Sequence, residues 1–357
     1  MKITPALKSY IWGGTKLKSK FGKVSDEKTI AESWEFSVHP DGMSLTEEGK
    51  PLADVLTSEN LGENSKDGLE FLIKLIDAED NLSVQVHPND EYAKKVNSFG
   101  KREMWYIIDA EKNAGIYCGF KHDMTRDDLE NDLKNGTILE KLNFFPVKQG
   151  DCFFIEAGTI HAIGKGVTLY EVQQSSNLTY RLYDFKRVGT DGQPRELHIE
   201  DALNVSTYSK YEKLDKKIKT NDGLTRLGGC KSFTAYELEI DGEQFLKGSE
   251  KTFAVLTLIE GSATIELKNK KTSLILGGTF FVPANQDIFI TGKCKIIISK
   301  SVKYYIKQTQ KDNCIIDDNN LIIARSTNLE NEQQLLKNSN LKKEDITSVF
   351  NILDGEC

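Results

Sequence analysis

Short runs rich in Val, Ile, Phe, Tyr and Thr recur along this chain, each closed by Gly, Asn or Asp. They fall at 71–76, 104–108, 151–155, 168–172, 254–259, 263–267, 278–282 and 295–298. Runs of this length, regularly punctuated by turn residues, leave little choice but an antiparallel sandwich or barrel. Two stretches also repeat one pattern. Residues 149–158 (QGDCFFIEAG) and 276–285 (LGGTFFVPAN) each read as a glycine turn, an aromatic strand and a small-residue turn. Each follows a strand that resembles its counterpart, at 105–110 and 256–261. Two copies of a hairpin-rich unit predict a mainly β fold of two barrels in tandem. The expected division is a first barrel over 1–200 with a short helical insertion near 124–142, and a second barrel over 201–307, which has no histidine between Gly228 and Lys307. An accessory tail, helical or partly disordered, follows over 308–357.

A length of 357 residues suffices for two cores. A formal net charge of -7 gives no basic face for nucleic acid. No apolar run reaches the length of a membrane span. The opening MKITPALKSYIWGG lacks the apolar stretch of a secretion signal, so a cytoplasmic location is expected. The six cysteines form no Cys-x-x-Cys pair and read as reduced thiols. No G-x-G-x-x-G follows a strand, which argues against a dinucleotide fold.

Helices are few. Thr125-x-x-Asp128 is close to a capping box, and Leu129, Leu133, Ile138, Leu139 and Leu142 follow at helical spacing. Gly136 should divide that segment in two, and 90–97 suits one more short helix. In the tail, Leu329, Leu335, Leu336, Leu341, Ile346, Val349, Phe350 and Leu353 suit one or two amphipathic helices.

The chemistry-bearing segment is Ser83-Val84-Gln85-Val86-His87-Pro88. Its period of two turns Ser83, Gln85 and His87 to one face of a strand and both valines to the other. A polar inner face suits a wet barrel that holds a metal. Glu103 opens the next strong strand, and His161 follows an aromatic strand in Gly158-Thr159-Ile160-His161. An amide oxygen, two imidazoles and a carboxylate form a mixed nitrogen and oxygen set that suits Zn²⁺, and also Mn²⁺, Fe²⁺ or Co²⁺. His39, His122 and His198 have no such partners in sequence and read as surface or structural residues.

At these residues the chain resembles the type I mannose-6-phosphate isomerase (phosphomannose isomerase) family in its short bacterial, cupin-fold form. The resemblance rests on Trp12-Gly13-Gly14, Glu32-Ser33-Trp34-Glu35, the 83–90 and 101–106 segments, Gly158 to His161, and 171–184, in the family's order across about 1–306. It implies two cupin jelly-roll barrels and one zinc ion on Gln85, His87, Glu103 and His161. The implied reaction interconverts mannose 6-phosphate and fructose 6-phosphate through an enediolate. Arg181 falls at the family's active-site arginine. Lys101 and Ser83 fall at positions facing the substrate, Lys101 with a catalytic role as well, and Arg187 or its neighbour Lys186 matches a cation associated with the phosphate. The expected partner is a small sugar phosphate, with no nucleic acid or membrane, on a monomer or homodimer. Where many relatives carry Asp, this chain has Asn177, an amide that cannot act as a base. A metal-dependent cupin oxygenase and a non-catalytic sugar-phosphate-binding cupin are the competing readings.

Overall fold

The alternation at 83–87 becomes the edge between a helix-covered surface and a cavity. The computed structural model describes residues 1–189, 192–213, 217–308, 312–318, 321–326 and 332–351. The chain divides into two compact units, one of 4–53 and 71–213, the other within 1–3, 54–70 and 214–357. Residues 54–70 therefore group with the C-terminal half, which the linear division at 200 did not foresee.

In the first unit, eleven strands build two antiparallel sheets. They are β1 (Ala6–Lys8), β2 (Glu32–Phe36), β3 (Phe71–Asp77), β4 (Val84–Val86), β5 (Glu103–Ala110), β6 (Gly115–Phe120), β7 (Leu142–Pro146), β8 (Cys152–Ile155), β9 (His161–Ile163), β10 (Val167–Gln174) and β11 (Tyr180–Tyr183). One sheet runs β8-β5-β10-β3-β2-β1 and the other β11-β4-β9-β6-β7. Among the described residues neither sheet closes on itself, so the expected barrel is an open jelly-roll sandwich. Packing joins the sheets where hydrogen bonds do not. Trp105, Ile107 and Leu169 of one interleave with Ile116, Cys118 and Ile163 of the other in a single buried cluster.

Val84 and Val86 face away from that core. They pack with Leu129, Ile138, Ala202 and Leu203 from helices laid over the five-stranded sheet. Helix Arg126–Asn135 is capped by Thr125, whose hydroxyl accepts from the Asp128 N–H in a full capping box. Gly136 ends it at φ 72°, in the left-handed region that favours glycine, and a second helix spans Ile138–Lys141. Helix Asp90–Lys94 starts on an Asn89 cap. The predicted division of this segment is therefore found.

The second unit repeats the design. Thr279–Val282 pairs with Ala254–Leu267 (Leu256 opposite Phe280), as β8 pairs with β5 (Tyr106 opposite Cys152). The internal repeat in the sequence is thus a repeat of strand pairing. The core here is apolar, built from residues such as Leu238, Leu256, Ile265, Phe280 and Ile296. Among its described residues the tail has more strand than helix. Tyr304–Gln308, Asn313–Asp317, Ile322–Ser326 and Ile346–Asn351 form a four-stranded sheet beside helix Glu332–Ser339. Leu335 and Leu341 do enter its core, Ile346 and Val349 lie in a strand, and Leu329 and Leu353 lie outside the described residues. Ile315, Ile323 and Ala324 join Val302, Tyr304 and Ile306 in that core, from strands too short to show a clear period. Cys118, Cys152, Cys230 and Cys294 are buried and not disulfide-bonded, as expected. Cys314 is disulfide-bonded, which corrects the reading of all six as thiols; Cys357 lies outside the described residues.

Leu129 tests the helix cover over the five-stranded sheet. Leu129→Ala should destabilise the chain by about 2–5 kcal/mol through the cavity it leaves, and Thr125→Ala by about 1 kcal/mol through loss of the cap. Urea unfolding followed by circular dichroism measures both. A Leu129→Ala cost below that of Thr125→Ala would contradict this packing.

Candidate active site

Register places the central residues. On the five-stranded sheet Gln85 lies opposite His161 on one side and Arg181 on the other. The three side chains are therefore neighbours across adjacent strands. On the six-stranded sheet Glu171 lies opposite both Trp105 and Lys74, and Gln173 lies opposite Glu103. The sandwich sets these two rows against each other. His87, Glu103 and His161 meet at its centre, with one donor atom from each lying within 4.8 Å of the others.

Local backbone brings the imidazoles there. The Gly158 N–H donates to the His87 carbonyl at 2.9 Å. Gly158 has φ 86°, and a Cβ at this position would lie 2.5 Å from Thr207 Oγ1, so no other residue fits this turn. At the cavity wall, a Cβ on Gly14 would lie 2.3 Å from Asp77 Oδ2. The Gly13-Gly14 pair thus lets the Trp12 segment close against β3.

Each imidazole is oriented from behind. His87 Nδ1 lies 3.0 Å from the Leu178 carbonyl, and His161 Nδ1 lies 2.8 Å from the Thr159 carbonyl. A carbonyl can only accept, so each Nδ1 carries the proton and each Nε2 presents a lone pair. Both lone pairs face Glu103: His87 Nε2 lies 3.2 Å from Oε1 and His161 Nε2 lies 3.7 Å from Oε2. Burial pushes the His87 imidazole down to about 3 and lowers that of His161. Burial alone would raise the Glu103 carboxyl. The Lys101 charge, followed by His87 and His161, instead holds it well below the usual carboxylate range.

The donor set fits a divalent metal ion. Both Glu103 carboxylate oxygens are buried without a hydrogen bond of proper geometry, so the ionised carboxylate has lone pairs to offer a metal ion. The Lys101 ammonium lies 2.8 Å from Oε1 and 3.2 Å from His87 Nε2. The Gln85 amide reaches to 3.5 Å from His161 Nε2. Turning that amide over presents oxygen in place of nitrogen with no change of shape.

A cavity of about 290 Å³ adjoins this cluster, lined in part by Trp12, Ser83, Gln85, Lys101, Asn177 and Arg181. Arg181 Nε donates to Ser83 Oγ at 3.3 Å and Nη1 to the Glu196 carbonyl at 2.7 Å. The Asn177 amide donates to Asp41 Oδ2 at 2.9 Å. His198 accepts the Arg181 backbone N–H at Nδ1, and His39 accepts that of Asp41, so both serve the fold.

Arg187 is not brought to the cavity. It donates to the Asp184 carboxylate, the Asp184 and Asn81 carbonyls and Asp80. Arg195, in a segment without a motif, lines the cavity instead. Sequence reading also missed the buried Lys74, whose ammonium lies 3.4 Å from Glu32 and 3.6 Å from Glu171. Its signal was present, since Lys74 interrupts an apolar strand buried on both faces. Burial, and then the Glu103 charge, push the Glu171 carboxyl up to about 7, while Trp105 Nε1 donates to it at 2.7 Å.

Comparison with known proteins agrees with this architecture. The family model for the phosphomannose isomerase type I catalytic domain matches residues 1–116, and that for the mannose-6-phosphate isomerase cupin domain matches 224–301. The mannose-6-phosphate isomerase of Streptococcus mutans is 34% identical over 282 residues, covering 76% of this chain and 89% of that protein. Mannose-6-phosphate isomerase ManA of Bacillus subtilis is 35% identical over 273 residues, covering 72% and 84%. The crystal structure of a mannose 6-phosphate isomerase from Bacillus subtilis superposes with a TM-score of 0.77 at 33% identity, covering 84% of this chain and 98% of that one.

The buried histidines fix the sign of the pH dependence. Below its ordinary 6.5 the His87 imidazole takes up a proton in the unfolded chain but not in the fold, where it titrates at about 3. The unfolded state then binds more protons, so stability falls as pH drops from 6.5 toward 3, by up to about 1.4 kcal/mol per pH unit. Urea unfolding of chelator-treated protein between pH 7 and pH 5 should show this loss, and His87→Gln should flatten it. A slope that His87→Gln leaves unchanged would contradict a buried neutral imidazole.

Proposed function

The chain belongs to the type I mannose-6-phosphate isomerase family, and from that premise we propose that it interconverts mannose 6-phosphate and fructose 6-phosphate around a zinc ion. The observation that carries this reading is the convergence of His87, Glu103 and His161 at a cavity lined by cations. Gln85 completes the ligand set, with its amide oxygen turned inward. Two imidazoles, a carboxylate and an amide oxygen are a donor set that zinc accepts. No helix of the described residues is long and apolar enough to cross a membrane.

Moving a proton between adjacent carbons through an enediolate builds negative charge on two neighbouring oxygens. The ion, when bound, supplies Lewis-acid stabilisation of that charge. The chain's own residues do the rest. Arg181 holds a permanent positive charge beside Gln85, fixed by Ser83 and the Glu196 carbonyl, so it needs no rearrangement as charge develops. Ser83 offers a hydroxyl at the same wall. Lys101 touches both the ligand cluster and the cavity, where its ammonium can donate to a sugar oxygen. Asn177 is an amide where many relatives carry a carboxylate, so it donates to Asp41 at the rim and cannot act as a base. Lys74 is held charged by Glu32 and Glu171, and it offsets the Glu32 carboxylate that lines the cavity.

The purified chain should convert mannose 6-phosphate to fructose 6-phosphate, lose turnover with a chelator, and recover it with zinc. His161→Ala should lose both bound metal and turnover. Arg181→Ala should keep the metal while kcat falls by about 10²–10³. Full kcat in Arg181→Ala, or undiminished metal in His161→Ala, would overturn the roles given to those residues.

A further inference from the structure

We propose that the second unit keeps a small cavity at the place of the first unit's ligand cluster, and that Lys300 serves there as a built-in cation for one small monovalent anion of the size of chloride. This goes beyond the isomerase reading and does not depend on it.

The internal repeat maps one unit onto the other, position by position. Phe153 and Phe280 hold the same place in 149–158 and 276–285. Gly158 and Asn285 close those segments, both in the left-handed region, at φ 86° and 58°. His161 comes three residues after Gly158, and Ile288 three after Asn285. Across the strands, Gln85 lies opposite His161 and Leu246 opposite Ile288. Glu103 lies opposite Ile155, and Ala254 opposite Val282, the counterpart of Ile155. The place of His87 falls to the Gly248-Ser249 pair. Gly248 lies two residues past Leu246, and the Ser249 carbonyl accepts the Asn285 N–H as the His87 carbonyl accepts that of Gly158. Leu246, Gly248, Ala254 and Ile288 carry no ligating side chain, yet all four line one cavity of about 30 Å³.

A cation reaches this cavity from a neighbouring strand. Glu171 and Ile298 hold equivalent places, opposite Trp105 and Leu256. Two residues on, Gln173 lies opposite Glu103, and Lys300 takes the place of Gln173 in the second unit. Lys300 follows the buried Ile296 and Ile298 at a period of two, on the core side of its strand, and lines the cavity. An ammonium has three protons to donate. That of Lys300 lies over the Tyr236 ring at 5.9 Å, and among the described residues no acceptor takes its protons. The lining holds a second lysine, the exposed Lys247, and no carboxylate. Asp222, Asp317 and Asp318 attract the Lys300 charge without bonding to it. Burial outweighs them and lowers the ammonium from its ordinary value. An anion in the cavity relieves a buried charge left in this condition. The volume admits one water or a single-atom ion and excludes a sugar phosphate. Walls of Leu246, Ala254 and Ile288 favour an ion that sheds its water readily, so chloride and bromide suit the site better than fluoride.

The test compares the full-length chain with Lys300→Met, which keeps the length of the side chain and removes its charge. Melting temperature is followed at constant ionic strength as sodium gluconate, whose anion is too large for the cavity, is exchanged for chloride, bromide or fluoride. The readout is the difference between the two proteins, which cancels general salt effects. Chloride and bromide should raise the wild-type melting temperature relative to the variant and saturate, and fluoride should not. The dissociation constant for bromide should weaken by about 10- to 100-fold in Lys300→Met, the loss expected for a charge-assisted hydrogen bond. Lys247→Met should weaken it by less. Crystals of the wild type soaked in bromide should show an anomalous peak beside Lys300 Nζ. An equal halide response in folded Lys300→Met, a larger loss in Lys247→Met, or a cavity without bromide would overturn the proposal. If Lys300→Met does not fold, the bromide peak in wild-type crystals decides alone, its presence sustaining the site and its absence overturning it. None of these readouts uses turnover, so a failure of the isomerase reading and a failure of the anion site remain distinct results.

Discussion

A buried carboxylate set between an ammonium and two imidazoles is the constraint on which the rest depends. Glu103 sits in the seam between two sheets, and its ionised form persists there because the Lys101 ammonium lies against it. Removing an ion from water costs several kcal/mol even after relaxation. The surrounding fold offsets that cost: two imidazoles are aimed inward by backbone carbonyls, an ammonium sits against one oxygen, and an amide is held across a strand. Such a cluster is poor for stability and well suited to holding a cation. The rest of the first unit serves it. One sheet supplies the carboxylate, the other the imidazoles, and helices shield the outer face so that the inner one can be polar.

The open sandwich explains how polar and apolar cores share one space. Trp105, Ile107 and Leu169 meet Ile116, Cys118 and Ile163 in the gap. Directly beside them, with Trp105 touching both Glu171 and His161, lie the polar residues Glu103, Lys74, His87 and Gln85. The second unit shows the contrast. It keeps the paired strands and the glycine turn, but its interior is filled by aliphatic and aromatic side chains. One backbone plan therefore gives either a packed core or a cavity, according to the residues at the inward positions of its strands.

Much of this was legible in the sequence because it is written in local periods. The alternation at 83–87 gave both faces of β4, the repeat around 149–158 and 276–285 gave two like units, and Thr125 and Gly136 marked the helix ends. The residues around the metal cluster belonged to motifs, so their convergence could be expected. What escaped depends on contacts between distant residues. Lys74 and Glu171 become partners only through strand register, and Arg195 reaches the cavity through a segment with no pattern of its own. Arg187 matched by spacing alone, and spacing does not show that Asp184, Asp80 and Asn81 use its donors. The tail misled because its leucines fit a helical period, while Ile315, Ile323 and Ala324 form a sheet core from strands too short to show one. Closure of the barrel depends on hydrogen bonding between sheet edges, which no sequence period encodes.

The measurement that bears most directly on the account is X-ray absorption at the zinc edge of the metal-loaded chain. The account predicts a first shell of nitrogen and oxygen alone near about 2.0 Å, with the outer-shell signature of two imidazoles, reduced to one in His161→Gln. A sulfur scatterer near about 2.3 Å, or a spectrum unchanged in His161→Gln, would place the metal elsewhere and contradict the claim that Glu103 and its imidazoles organise the site.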